Sequence, residues 1–160
     1  SGEMFRYVRG GFLTQPNYKF ILDLRDPNLK KYGPTLSTDE ESDLLLAKAI
    51  CDTSNSNTIT LVRNGQLIGN GVGQQTRVRA AKFAGLIAKE CKHSVPGASA
   101  ASDSFFPFID GPAALDNLGV TGIITSSGSV KDAEVKMFCD VNEISLYMIP
   151  DSIGRGFYNH

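Results

Sequence analysis

The chain has 160 residues and a mass of 17.3 kDa, enough for one compact domain to bury a core without metal or disulfide staples. With 16 basic and 17 acidic side chains its formal net charge is −1, which argues against whole-chain electrostatic capture of nucleic acid or an anionic membrane. A hydrophobic share of 41% excludes a disordered chain, and no apolar run approaches the roughly 20 residues of a membrane-spanning helix.

In chain order, residues 5–9 and 18–24 read as extended segments separated by Gly10-Gly11 and Pro16-Asn17. The polar stretch 25–35, with Pro27 and Pro34, reads as a linker or surface loop. Ser37 then opens a helix: Glu40 stands at capping-box spacing, and Asp39, Glu40 and Glu41 suit the positive end of the helix dipole. Its apolar residues, Leu44 to Ile50 broken only by Lys48, predict a helix buried on more than one side. Residues 58–63 alternate and are β-branched, Asn64-Gly65 supplies a type I′ turn, and residues 66–71 return as the second strand of a hairpin.

A helix over 76–92 carries a small-residue face suited to close packing on a sheet. Residues 98–102 form a short buried strand. Asp110 is placed to cap a helix that holds Pro112 in its first turn and ends at Gly119. Strand 120–125, helix 130–142 and strand 144–149 complete the order. Such alternation predicts an α/β fold with three layers, α/β/α. Residues 1–36 form N-terminal extended segments and a loop in this reading, and residues 37–160 the α/β subdomain proper.

Cys51, Cys91 and Cys139 are an odd set, far apart, without a Cys-x-x-Cys pair, and His93 and His160 are the only histidines. Neither a zinc site nor a disulfide framework is expected. Residues 1–9 lack the apolar core of a signal peptide, so a cytoplasmic protein is expected.

Four segments place special residues beside predicted strand ends. In Ser54-Asn55-Ser56-Asn57 an asparagine amide can donate to a developing oxyanion; the alternative is a plain turn. In residues 69–77, glycines 69, 71 and 73 let a backbone approach a ligand before a helix N-terminus; the alternative is a bulged strand end. Residues 102–110 hold Phe105, Phe106 and Phe108 around Pro107, suited to stacking on a flat heterocycle or, alternatively, to plugging a loop onto the core. The turn 126–129 offers free backbone amides, and Arg155 in the tail has the planar fork that binds phosphate. His93 reads as a surface residue at a helix C-terminus.

Together, in order, Val8-Arg9-Gly10-Gly11, Ser56-Asn57, the stretch 63–69, Gly73-Gln74-Gln75-Thr76-Arg77-Val78, Ser102-Asp103-Ser104-Phe105-Phe106-Pro107-Phe108 and Ser127-Gly128-Ser129 resemble one family across nearly the whole chain. The chain looks like the C-terminal half of the transformylase unit of the AICAR formyltransferase/IMP cyclohydrolase family. The resemblance implies transfer of a formyl group from 10-formyltetrahydrofolate to AICAR in purine biosynthesis. It also implies a cytidine-deaminase-like subdomain with a mixed sheet, here without the deaminase zinc signature, and a homodimer.

Residue by residue, the resemblance implies that Asn57 stabilises the oxyanion and that Phe105 lines the AICAR site. Pro107, Asp110 and Ser129 would surround the folate pterin, with Arg77 and Val78 on the folate side across a dimer interface. Arg155 and Phe157 would meet the nucleotide phosphate. Asp103 and His160 match positions associated with a monovalent cation such as potassium.

Two departures stand out. The terminus is one residue longer after Phe157 than the family pattern, which displaces His160. The family's Lys-His proton-transfer pair, which belongs to the preceding half, is missing; Lys92-His93 does not match its position. General acid–base help is worth about 10²–10⁴ in rate and an oxyanion donor about 10²–10³, so a chain with only the second is expected to be a poor catalyst. The alternative is a non-catalytic module that binds folate or a purine nucleotide, or that dimerises.

Overall fold

A six-stranded sheet organises the chain. The computed structural model describes residues 2–17 and 19–154. Among these, the elements are β1 (Glu3–Val8), β2 (Gly11–Pro16), β3 (Lys30–Tyr32), α1 (Thr38–Asp52), β4 (Ile59–Arg63), β5 (Gln66–Gly71), α2 (Arg77–Glu90), β6 (Ser99–Ser102), α3 (Asp110–Asn117), β7 (Gly122–Ser127), α4 (Asp132–Val141), β8 (Ser145–Pro150) and α5 (Asp151–Gly154). The main sheet has the order β3-β8-β7-β6-β4-β5, while β1 and β2 pair only with each other. β6, β7 and β8 run parallel; the remaining pairings are antiparallel, so the sheet is mixed.

Period-two alternation in the central strands divides the core. Ala100, Ile123, Leu146 and Met148 face one cluster, shared with Ala80, Ala84, Leu115 and Val135 of α2, α3 and α4. Their neighbours Ala101, Ile124, Tyr147 and Ile149 face the other, shared with Leu44, Ala47 and Cys51 of α1. Strands covered on both faces need continuous apolar sequence, which is what these segments have. The architecture is the expected three-layer α/β/α.

Local chemistry sets the boundaries. The capping box at α1 is formed: Glu40 N–H donates to Ser37 Oγ at 3.3 Å and Ser37 N–H to Glu40 Oε2 at 2.8 Å. Asn64 and Gly65 have φ of 53° and 72°, as a type I′ turn requires. Their amides donate to the two carboxylate oxygens of Asp43, at 2.8 and 2.7 Å, which ties the hairpin to α1.

Two expectations are corrected and one is sharpened. The polar stretch 25–35 is not wholly a linker, because Lys30–Tyr32 forms an edge strand on β8 and Leu29 is buried. The partner of the first extended segment is residues 11–16, joined through the turn at Gly10. Of 18–24, Tyr18 lies outside the described residues. The rest has no ladder partner, although Phe20, Leu22 and Leu24 alternate onto the α1-side core. Asp110 does not cap α3: the cap position is Ile109, and Asp110 Oδ1 accepts from Gly111 N–H at 2.8 Å inside the first turn. No helix among the described residues is long and apolar enough to cross a membrane.

Candidate active site

Among the described residues, the segments singled out in the sequence meet at one edge of the sheet. Parallel strands β6, β7 and β8 all end there, antiparallel β4 begins there, and the loop from β5 to α2 crosses it. Open α/β sheets bind ligands outside the carboxyl ends of their parallel strands, where loops diverge.

Asp103, directly after β6, is fully buried and is the hub of this edge. Its Oδ1 accepts from Thr58 N–H at 3.0 Å and from the Arg77 guanidinium at 3.3 Å. Its Oδ2 accepts from Ser56 Oγ. Arg77 Nε lies 3.2 Å from both Ser102 Oγ and the Ser104 carbonyl. That carbonyl also accepts from Ser102 Oγ at 2.6 Å and Thr125 Oγ1 at 2.9 Å. A charge without water must be paired and fully hydrogen-bonded, and this carboxylate is.

Asn57 sits beside Ser56 and faces the loop after β5. Its Nδ2 donates to the Gln74 carbonyl at 3.0 Å and the Gln75 carbonyl at 3.2 Å. A backbone exchange between Asn57 and Gln74, at 3.0 and 3.2 Å, zips the same two loops together. An amide has two N–H donors, and both point into this loop.

Phe105 is half-buried against the turn after β7: a Cβ at Gly128 would lie 3.8 Å from its ring and 3.5 Å from Asp151 Cβ. Asp151, the first residue after β8, accepts from Ser126 Oγ at 2.7 Å and Ser104 Oγ at 3.3 Å. The turn amides expected to be free are already engaged. Gly128 N–H donates to Asp132 Oδ2 at 2.7 Å and Ser129 N–H to Asp132 Oδ1 at 3.3 Å, so a carboxylate fills the helix N-terminus. Ser129 Oγ accepts from Lys131 N–H at 3.1 Å.

The glycine loop is also redistributed. A Cβ at Gly69 or Gly71 would collide with the Ala84 or Ala80 carbonyl, so these two glycines admit α2 onto β5 and not a ligand. Gly73, with φ of 68° and open space around it, is the one that shapes the loop.

The structure therefore brings together Asn57, Arg77 and Asp103 through Ser56, and Phe105 with Ser129 through Gly128. Pro107 and Asp110 lie exposed on the segment leading into α3. Val78 packs against the core on the α2 side. Arg155, Phe157 and His160 lie outside the described residues.

Sequence reasoning singled out the segments of Ser56, Ser102, Ser104 and Ser126 but gave their hydroxyls no role, and it missed Thr125 and the carboxylate of Asp151. Their signal was a polar residue at the end of each apolar strand. It also passed over Lys48, read as an interruption of α1: Lys48 is 2% exposed and pairs with Asp52. Burial pushes the Asp52 carboxyl above its ordinary range, with Lys48 opposing.

A potassium site at Asp103 fits poorly. Both carboxylate oxygens already accept donors and a guanidinium stands against one of them. Among the described residues no cluster of three His, Cys, Asp or Glu side chains could hold a metal.

The model of the AICARFT/IMPCHase bienzyme family matches residues 1–86. The bifunctional purine biosynthesis protein PurH of Chlorobium phaeovibrioides is 44% identical over 146 residues, 91% of this chain and 28% of that protein. That of Bacteroides thetaiotaomicron is 38% identical over 154 residues, 94% of this chain and 29% of that protein. The chain thus spans under a third of the length of these curated relatives. Among solved structures, RibD of Acinetobacter baumannii aligns with a TM-score of 0.47 at 16% identity, over 75% of this chain and 39% of that one. The dCMP deaminase of cyanophage S-TIM5 aligns with a TM-score of 0.48 at 14% identity, over 71% of this chain and all of that one. With the family model covering its first half and relatives at this identity spanning nine-tenths of its length, the chain belongs to the AICARFT/IMPCHase bienzyme family.

Proposed function

We propose that the chain is the C-terminal part of a transformylase that moves a formyl group from 10-formyltetrahydrofolate to the 5-amino group of AICAR. The observation that carries this reading is the convergence of the Asn57, Arg77, Phe105 and Ser129 segments on one carboxyl edge of the sheet.

In that reaction the amino nitrogen forms a bond to the formyl carbon, a tetrahedral oxyanion develops, and the bond from carbon to the folate nitrogen breaks. The amino group loses a proton and the departing nitrogen gains one. Asn57 would donate to the oxyanion, which requires it to exchange one of its bonds to the 74–75 carbonyls. Phe105 would stack on the aminoimidazole, and Ser129, Pro107 and Asp110 would border the folate. Arg155 and Phe157 would meet the nucleotide phosphate.

Nothing in this set is suited to take the amino proton. Proton transfer is assigned to a Lys-His pair in a preceding half, and the chain by itself is proposed to be nearly inactive. A homodimer and a cytoplasmic location belong to the same proposal.

The test is a formyl-transfer assay on the 160-residue chain and on the chain joined to the preceding segment. Activity is expected only in the joined protein, and Asn57→Ala there should lower kcat about 10²–10³-fold. Full activity from the chain alone overturns the proposal.

A further inference from the structure

The carboxamide of Asn57 is held at both ends. Its Nδ2 donates to the Gln74 carbonyl at 3.0 Å and the Gln75 carbonyl at 3.2 Å, which occupies both of its N–H groups. Its Oδ1 lies 3.3 Å from Ser56 Oγ, the only donor within hydrogen-bond reach of it among the described residues. Ser56 has one hydroxyl proton and faces two acceptors, Asn57 Oδ1 and Asp103 Oδ2. The charged acceptor takes that proton while the amide is parked on the loop.

The balance changes when the amide turns towards an oxyanion. Each N–H withdrawn from a loop carbonyl loosens the constraint that tells the two ends of the carboxamide apart. Turned end for end, the carboxamide would present its oxygen to the developing negative charge and repel it. A donor on Oδ1 fixes which end is oxygen, and it polarises the amide so that the N–H donates more strongly. Asp103 can release the Ser56 hydroxyl at that moment. Its Oδ1 keeps the Thr58 N–H at 3.0 Å and the Arg77 guanidinium at 3.3 Å, so the buried charge stays paired.

We infer that Ser56 is a positioning residue whose hydroxyl turns from Asp103 Oδ2 to Asn57 Oδ1 and holds the carboxamide with an N–H towards the oxyanion. Ser56 acts through Asn57, and its role rests on the reading of Asn57 as oxyanion donor given above.

Variants of the joined protein test this in the formyl-transfer assay. Ser56→Ala should lower kcat about tenfold, the worth of one hydrogen bond, with the KM for AICAR changed less than about twofold. Ser56→Thr and Ser56→Val have nearly the same shape and differ in the hydroxyl. The first should keep kcat within about threefold of wild type and the second should match Ser56→Ala. Added to Asn57→Ala, the change Ser56→Ala should lower kcat no further, because a residue that works through Asn57 has nothing left to position.

Full kcat in Ser56→Ala or Ser56→Val overturns the positioning role and leaves the transformylase reading standing. So does a raised KM with kcat unchanged, or a penalty that persists undiminished without the Asn57 side chain, which would mark Ser56 as a support of the fold. Unchanged kcat in Asn57→Ala overturns the oxyanion reading itself, and the role of Ser56 with it.

Discussion

Thr58 and Asp103 are bonded to each other twice. Thr58 N–H donates to Asp103 Oδ1 at 3.0 Å, and Asp103 N–H donates to the Thr58 carbonyl at 3.3 Å. The start of β4 and the end of β6 are thereby closed at the place where the antiparallel and parallel parts of the sheet meet. Asp103 does this while also holding Arg77 at the head of α2.

Asp103→Ala should therefore cost about 3 kcal/mol, because breaking a buried pair strands the Arg77 charge and the Thr58 amide together. Urea unfolding reads this as a lower midpoint with an unchanged slope. A loss below about 1 kcal/mol would show that water replaces the carboxylate at this edge.

Gly71 stands under α2, where an added Cβ meets the Ala80 carbonyl and the Ala84 amide. Backbone cannot give way as a side chain does, so Gly71→Ala should destabilise by about 1–3 kcal/mol. Gly65→Ala is a useful contrast, since only its positive φ is at stake and nothing crowds it. Thermal unfolding of both variants separates packing from conformation.

The three thiols should separate cleanly in a disulfide-exchange titration of the native protein. Cys91 is exposed and should be the first to react. Cys139 is buried and its pKa is pushed up to about 12, chiefly by burial. Burial also pushes Cys51 far up, with the charge of Asp103 adding to the effect. The expected result is one fast thiol in buffer and all three in denaturant; a second fast thiol would mean that a core face opens readily.

Glu41 sets part of the acid limb of stability. Its carboxyl is held below the ordinary value of 4.5, first by the hydrogen bond from Lys31 and next by that from Tyr147. The folded state thus favours the charged form, and this contribution is present above 4.5 and lost as pH falls through the lowered folded value. Glu41→Gln should flatten the stability profile on the acid side relative to wild type. Equal acid slopes in the two proteins would remove Glu41 from that role.

Elements whose signals are local were legible. The α1 capping box, the Asn64-Gly65 turn and the strand–helix alternation each arise from residues a few positions apart. Residues 19–24 keep their alternation without a ladder, because period two marks an extended chain on a core whether or not another strand pairs with it. At the site, Asn57, Arg77, Phe105 and Ser129 could be named from motifs, but their hydrogen-bond partners could not. The Asp132 carboxylate that fills the turn at Gly128 and Ser129 was visible in the sequence only as an ordinary helix-start acid.

By itself the sequence determined a chain of 160 residues of near-zero net charge, with enough alternating apolar strands to support a three-layer domain and with few histidines. Those properties depend on composition and on spacing along the chain. Only the tertiary structure decided that Asp103 is a buried hub, that Gly69 and Gly71 serve α2, and that Lys48 reaches Gly154. The physical reason is the same in each case. Burial and pairing join residues that the chain separates, and a charge or a missing Cβ takes its meaning from what stands opposite it.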